Sequence, residues 1–261
     1  MSIGSIYTNS VYENLKPLYA NWEPGRPVKL GDFGVMRDGT FIYLGNIKGK
    51  ELAISFSETQ DSAKDQKFFT SQDSMDVKFY AKGAVPINGI VNAKATLEVN
   101  FLSQDAVFFN AAECEYLMIE DKVALGKTVM DKYANDVWKR EWVVVTDLVK
   151  AGATTIAVSA GKSASIVFEA TGDTERINLA DASVGLAIKS SSNVGYQVVA
   201  AQGLIPLIGL CGIQSTFLWW GDDFKPLSRR LSDVQLLNAL EHSPRVRTEE
   251  SKEALYFGQL K

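Results

Sequence analysis

The chain of 261 residues is 46% hydrophobic and 22% charged, which is enough apolar material for one substantial core. Its formal charge of -4 and pI near 5.2 exclude a broad nucleic-acid surface, because such a surface needs clustered Lys and Arg. Cys114 and Cys211 lie far apart in apolar surroundings, so they read as buried free thiols of a reducing cytoplasm rather than as a disulfide.

Residues 1–10 lack the basic start and apolar centre of a signal peptide, so the intact chain is expected to be soluble and cytoplasmic. Tyr7, Val11, Tyr12, Leu15 and Leu18 have helical spacing over 6–19, with Asn9 or Ser10 as the cap. Residues 21–28 hold two prolines and a glycine and read as a loop. Strands 31–35 and 41–44 flank Asp38-Gly39, a hairpin signal. Residues 51–56 read as a strand, and the charged stretch 57–66 as a mobile loop. Short apolar runs at 106–109 and 116–119 surround Cys114.

A helix is expected over 120–138, with Val123, Met130, Tyr133 and Val137 on its apolar face and Gly126 weakening it. Strands follow at 141–149 and 154–159, joined by Lys150-Ala151-Gly152, and then at 164–170 and 183–188. No charged side chain occurs from 190 to 221, but Pro206, Gly209 and Gly212 interrupt the run. A membrane-spanning helix needs about 20 apolar residues, so two or three buried strands fit better. Leu231, Val234, Leu237 and Leu240 predict an amphipathic helix that ends before Pro244. The fold class is α+β: a single domain with a twisted, mainly antiparallel sheet, peripheral helices and a short C-terminal tail.

The most regular alternation lies in 74–80 and 91–101. One face carries Met75, Val77 and Phe79, then Ala93, Ala95, Leu97, Val99 and Phe101. The other carries Asp76, Lys78 and Tyr80, then Lys94, Thr96, Glu98 and Asn100. A period of two gives each strand one apolar and one wet face. Such a hairpin can cover a core, or enter a membrane within a barrel.

Catalytic chemistry is hard to place. The single histidine, His242, follows a helix in a polar setting, without the partners of a triad or zinc site. Gly221-Asp222-Asp223 reads as a turn and Leu179-Ala180-Asp181-Ala182 as a loop with one acid. Gly31-Asp32-Phe33-Gly34 lacks the spacing and the lysine of a phosphate loop. No cofactor or metal is expected, and an enzyme is the third reading.

The order of elements is an alternating hairpin, a helix, the strand Trp142-Val143-Val144-Val145-Thr146-Asp147-Leu148-Val149, a second alternating region, and an apolar return at 204–213. This resembles the pore-forming domain of the gasdermins. There a strand reading aromatic or aliphatic, then Val-Val-Thr-Glu-Val-Leu, precedes the second membrane-inserting hairpin; here Asp147 stands where the family has Glu. The short tail resembles the bacterial members, in which the inhibitory part is a C-terminal peptide. Two departures stand out. Ile3, Gly4 and Ser5 occupy the start, where bacterial members often carry a lipidated cysteine, and the hairpin over 31–47 does not match the family's wording.

The resemblance implies a body at 1–244 and a cleavable autoinhibitory peptide at 245–261. An activating protease would cut near Arg245 or Arg247 in an exposed polar stretch. Leu255, Tyr256, Phe257 and Leu260 would dock on the body, either as a removable plug or as part of the core. Once cut, residues 74–101 and roughly 154–188 would become longer strands, placing Met75, Val77, Phe79, Ala93, Ala95, Leu97, Val99 and Phe101 against lipid. The implied activity is bacterial defence, by a monomer that assembles into a homo-oligomeric pore in the inner membrane and binds no nucleic acid. The alternative is a non-enzymatic β-rich binding module whose strands cover a core.

Overall fold

The computed structural model describes residues 2–71, 75–84, 93–200, 202–217 and 253–260. In chain order they form α1 (Ile3–Leu15), β1 (Tyr19–Ala20), β2 (Asp32–Arg37), β3 (Thr40–Asn46), β4 (Glu58–Thr70), β5 (Met75–Tyr80), β6 (Thr96–Phe101) and β7 (Val107–Ile119). There follow α2 (Lys122–Ala134), β8 (Trp142–Lys150), β9 (Ala153–Ser159), β10 (Ala164–Ala170), β11 (Leu186–Ser192), β12 (Val194–Ala200), β13 (Leu207–Phe217) and β14 (Glu253–Gln259). Every strand pairing is antiparallel, as the α+β reading expects. The expected helix at 231–240, His242 and Gly221-Asp222-Asp223 lie outside the described residues.

Several local expectations change. Helix α1 starts at Ile3, because the Ser2 hydroxyl caps it by accepting from the Ser5 N–H at 3.1 Å. The charged stretch 57–66 is not a loop but most of β4, paired along β7. Its side chains are mostly exposed, so no alternation marks it. The backbone ladder and polar ties hold it instead, among them Lys64 to Glu113 at 2.8 Å and the Tyr116 hydroxyl to Asp65 at 2.9 Å. A charged edge of this kind discourages pairing with other chains. Residues 51–56 alternate correctly, with Leu52 and Ile54 buried, yet they form no strand. Helix α2 is shorter than expected; Met130 is buried and Tyr133 packs against the core as expected, but Leu125, Gly126 and Val129 are buried beside them and Val137 is exposed.

The Asp38-Gly39 hairpin forms as its sequence demands. Both residues have positive φ, 50° and 76°, and Arg37 faces Thr40. By contrast, Lys150-Ala151-Gly152 does not reverse the chain. One register runs along β7 from Val107 opposite Val158, through Glu115 opposite Lys150, to Met118 opposite Asp147. The Gly152 N–H continues the ladder by donating to the Ala112 carbonyl at 2.9 Å. Strands β8 and β9 are therefore one long run. Most of β8 is buried, which removes the alternation a half-exposed strand would show.

A ten-stranded sheet carries a second sheet of four strands in the order β11-β10-β6-β5. In the large sheet β4 pairs β7, β7 pairs β9 and β9 pairs β12. The small sheet repeats this order. Each of its strands neighbours in sequence a strand of the large one: β4 precedes β5, with 72–74 outside the described residues, β7 joins β6 through 102–106, β9 runs into β10 through 160–163, and β12 joins β11 through Asn193. The molecule thus contains a four-stranded ribbon folded in half.

Each side of the large sheet has its own core. Val107, Phe109, Ile156 and Val158 pack toward Tyr7 and Val11 of α1. Phe108 and Ala157 point the opposite way, into the layer shared with Leu97, Val99, Phe101, Ile166 and Phe168. Phe108 is fully buried between the halves of the ribbon, so Phe108→Ala is expected to cost about 3–5 kcal/mol. Leu102→Ala, at an exposed corner, is expected to change stability by less than about 0.5 kcal/mol. Urea unfolding monitored by tryptophan fluorescence would measure both.

Candidate membrane-inserting ribbon and C-terminal strand

Alternation places the apolar residues of β5, β6 and β10 in cross-strand rows. Val77 faces Val99, which faces Ile166; Phe79 faces Leu97, which faces Phe168; Met75 faces Phe101, which faces Ala164. A bulge at Val167/Phe168 then sets Phe168 opposite Ile188 on β11. Ala95, Leu97, Val99 and Phe101 are fully buried, and Met75 and Val77 are half-buried. Phe79 keeps 55% of its surface exposed, and Ile188 37%. Ala93 is exposed in a bend ahead of β6, outside the ladder.

The opposite face is polar. The Tyr80 hydroxyl donates to Glu98 at 3.0 Å, the Asn100 amide donates to Glu98 at 2.8 Å, and Lys78 pairs with Asp76 at 2.8 Å. Thr96 departs from the expected pattern: it belongs to this wet face yet is buried, and its hydroxyl finds no partner. The ladder begins at Thr96; residues 93–95 precede it outside the strand, and 91 and 92 of the expected run lie outside the described residues.

Three corners of the ribbon each hold a non-glycine residue in the left-handed region: Asp105 at φ 63°, Ser163 at φ 63° and Asn193 at φ 58°. Such residues carry local strain and persist only where the surrounding structure holds them. Ser159 is one clip. Its hydroxyl donates to the Ser103 carbonyl at 2.8 Å and accepts from the Ala106 N–H at 2.9 Å. The Ala160 N–H donates to the Asn193 carbonyl at 2.9 Å, tying two corners together.

At the other end of the large sheet β14 lies along β13, from Gln259 opposite Cys211 to Glu253 opposite Phe217. Leu255 and Phe257 are buried in the core that also contains Leu125, Val129 and Ile213, and Leu260 packs against it. Tyr256 is half-buried on the other face, where burial raises its phenol pKa. Its hydroxyl donates to Gln214, and the Gln214 amide donates to the Gln259 carbonyl. Sequence reasoning read Gly126 only as a weak point of α2. A side chain there would meet the Phe257 ring at 3.2 Å, so the glycine makes the notch in which Phe257 sits. Arg245 and Arg247 lie outside the described residues.

Asp147 ties the elements around β14 together. The Lys122 ammonium at the start of α2 donates to both carboxylate oxygens, at 2.7 and 2.8 Å, and the Thr146 hydroxyl donates at 2.7 Å. Gly209 faces this carboxylate from β13, and an added Cβ would come within 2.5 Å of it. Cys211 is buried 3.4 Å from the Thr146 hydroxyl, and burial pushes its thiol up to about 11. Cys114 is likewise free and buried, with its thiol pushed up to about 11. Neither is a thiolate at neutral pH. Asp181 accepts from the Ser183 N–H and hydroxyl and so forms a turn.

Among the described residues no helix is long and apolar enough to cross a membrane. No protein-family model and no curated protein sequence matches the chain. A solved bacterial gasdermin from Bradyrhizobium tropiciagri aligns with 80% of this chain and 86% of its own, at 14% identity and a TM-score of 0.35.

Filling the notch should loosen the strand it holds. Gly126→Val is expected to overpack the site by about 1–3 kcal/mol and to accelerate amide hydrogen exchange across Glu253–Gln259. Exchange in β7 should stay unchanged, and hydrogen-exchange mass spectrometry reads both.

Proposed function

We propose that the chain is an autoinhibited, gasdermin-like pore former whose C-terminal strand is removed by proteolysis. The observation that carries this reading is the shared strand order of the two sheets. Because each small-sheet strand continues a large-sheet strand, opening the fold at its corners needs no strand to change neighbours. It would yield four long strands, such as 96–119, at about 3.3 Å per residue. That exceeds the roughly 9–11 residues a transmembrane strand requires.

The chemistry of the two faces supports the same reading. The apolar rows through Leu97, Val99, Ile166 and Phe168 would meet lipid, and the row holding Asp76, Lys78, Glu98 and Glu169 would line a wet lumen. Neighbouring subunits would close the ribbon into a barrel, since a bilayer tolerates no unpaired strand edge. Strain at Asp105, Ser163 and Asn193 would be released as the corners straighten. Loss of β14 would expose Leu255 and Phe257, each contributing about 1.5–3 kcal/mol of burial, and so favour an opened state. The intact chain would be a cytoplasmic monomer, and the cut chain an inner-membrane oligomer.

One observation favours the second reading, a static β-rich binding module. Strands that switch sheets at bends also build ordinary sandwiches, and the layer between the sheets is a cluster of buried apolar side chains. Leu97 and Val99 cannot separate the two readings, because a charge at either buried site unfolds the intact protein in both.

Phe79 and Ile188 can. Phe79→Lys and Ile188→Lys replace exposed side chains, so melting temperature should hold while a lysine on the lipid face costs about 2–4 kcal/mol near the midplane. The assay is dye release from anionic vesicles by full-length protein carrying a specific protease site in place of 245–250. Cutting should trigger release, intact protein should not, both lysine variants should lose most of it, and Lys78→Gln should keep it. A cut protein that leaves vesicles sealed would make the chain a static module.

A further inference from the structure

The C-terminal strand shares a residue pattern with a strand elsewhere in the chain. β3 reads Thr-Phe-Ile-Tyr-Leu-Gly-Asn, and β14 reads Glu-Ala-Leu-Tyr-Phe-Gly-Gln. Aligned without a gap, Ile42 matches Leu255, Tyr43 matches Tyr256, Leu44 matches Phe257, Gly45 matches Gly258, and Asn46 matches Gln259. We propose that β14 is an internal copy of β3, and that the β13 edge it covers is the docking site for β3 of a second copy of this chain.

Three observations support this. Among the described residues β3 pairs only with β2, which leaves its outer edge open. That edge strand exposes three consecutive apolar side chains, with Ile42 40%, Tyr43 56% and Leu44 51% accessible. Edge strands are normally blunted with charge, as β4 is here, so an apolar edge calls for a partner. The matching residues show what that partner would supply. Leu255 and Phe257 are buried in the core that includes α2, and Tyr256 reaches Gln214 of β13. A visiting β3 would pair antiparallel with 211–217, placing Leu44 over the notch at Gly126.

The positions of the two edges set the geometry of assembly. β13 flanks β8 on one side, and β2 with β3 flanks it on the other. Each copy therefore presents one donor strand and one acceptor edge on opposite ends of the same sheet. Such a contact is head-to-tail, and it closes into a ring when the rotation per subunit permits. In the intact chain β14 occupies the acceptor at the high effective concentration of a tethered segment. A cut removes that advantage. The inference rests on the pore-forming reading only for the departure of β14.

The test needs no membrane. A fluorescently labelled peptide spanning 37–48 is titrated, in excess over the excised strand, into full-length protein cut at the engineered site within 245–250. Saturable anisotropy is expected with cut protein and not with intact protein; unlabelled peptide 253–261 should compete, and a scrambled peptide should not. In sedimentation velocity the cut Ile42→Lys/Leu44→Lys variant should self-associate at least tenfold more weakly than cut wild type while still binding the 37–48 peptide. Failure of that peptide to bind cut protein, or undiminished association of the double variant, would overturn the proposal. Dye release separates the two ideas: peptide binding with sealed vesicles retains the docking and defeats the pore reading, whereas full release by the double variant does the reverse.

Discussion

The architecture depends on the ladder between β7 and the continuous run of β8 and β9. It keeps one register from Met118 opposite Asp147 to Val107 opposite Val158. Because side chains alternate, this register sends Phe109, Ile156 and Val158 toward α1, and Phe108 and Ala157 toward the small sheet. A one-residue slip would exchange the two sets and empty both cores. The strands β4 and β12 then extend the ladder on either side, and all four continue into the small sheet.

Folding the ribbon in half satisfies the apolar face of the small sheet at a local cost. Three corners hold left-handed backbone at non-glycine residues, and Ser159 and Asn193 supply the hydrogen bonds that keep them bent. The gain is the buried layer of Leu97, Val99, Phe101, Ile166 and Phe168. Burial and corner strain act in opposite directions on the stability of the folded ribbon. At the far end of the large sheet β14 is held by its ladder with β13, by the burial of Leu255 and Phe257, and by the notch at Gly126.

The Asp147 cluster shows how that end of the molecule is tied to the rest. Lys122 brings the start of α2 onto β8, Thr146 and Cys211 link β8 to β13, and Gly209 leaves room for the carboxylate. Helix α2 in turn forms one wall of the Phe257 site through Gly126. The acidic residue in the strand Trp142–Lys150 is thus a structural anchor between elements, well away from the small sheet.

What the sequence alone determined was local. Asp38-Gly39 demanded a two-residue hairpin, β5 and the second half of the 91–101 run declared an amphipathic sheet by alternation, and 141–149 announced a strand. Those signals arise from φ preferences and from burial on one or both faces, and a single strand carries them. Strand β4 was invisible because an edge held by backbone and charge need bury little, and 51–56 misled because alternation without a ladder is not a strand. The apolar face of α2 was only partly legible, because the notch for Phe257 requires a glycine, which periodicity counts as a defect. Only the tertiary structure decided that two sheets are one ribbon folded over. It also decided that β3 and β14 lie at opposite edges of one sheet, because strand order and edge occupancy are set by residues far apart in the chain.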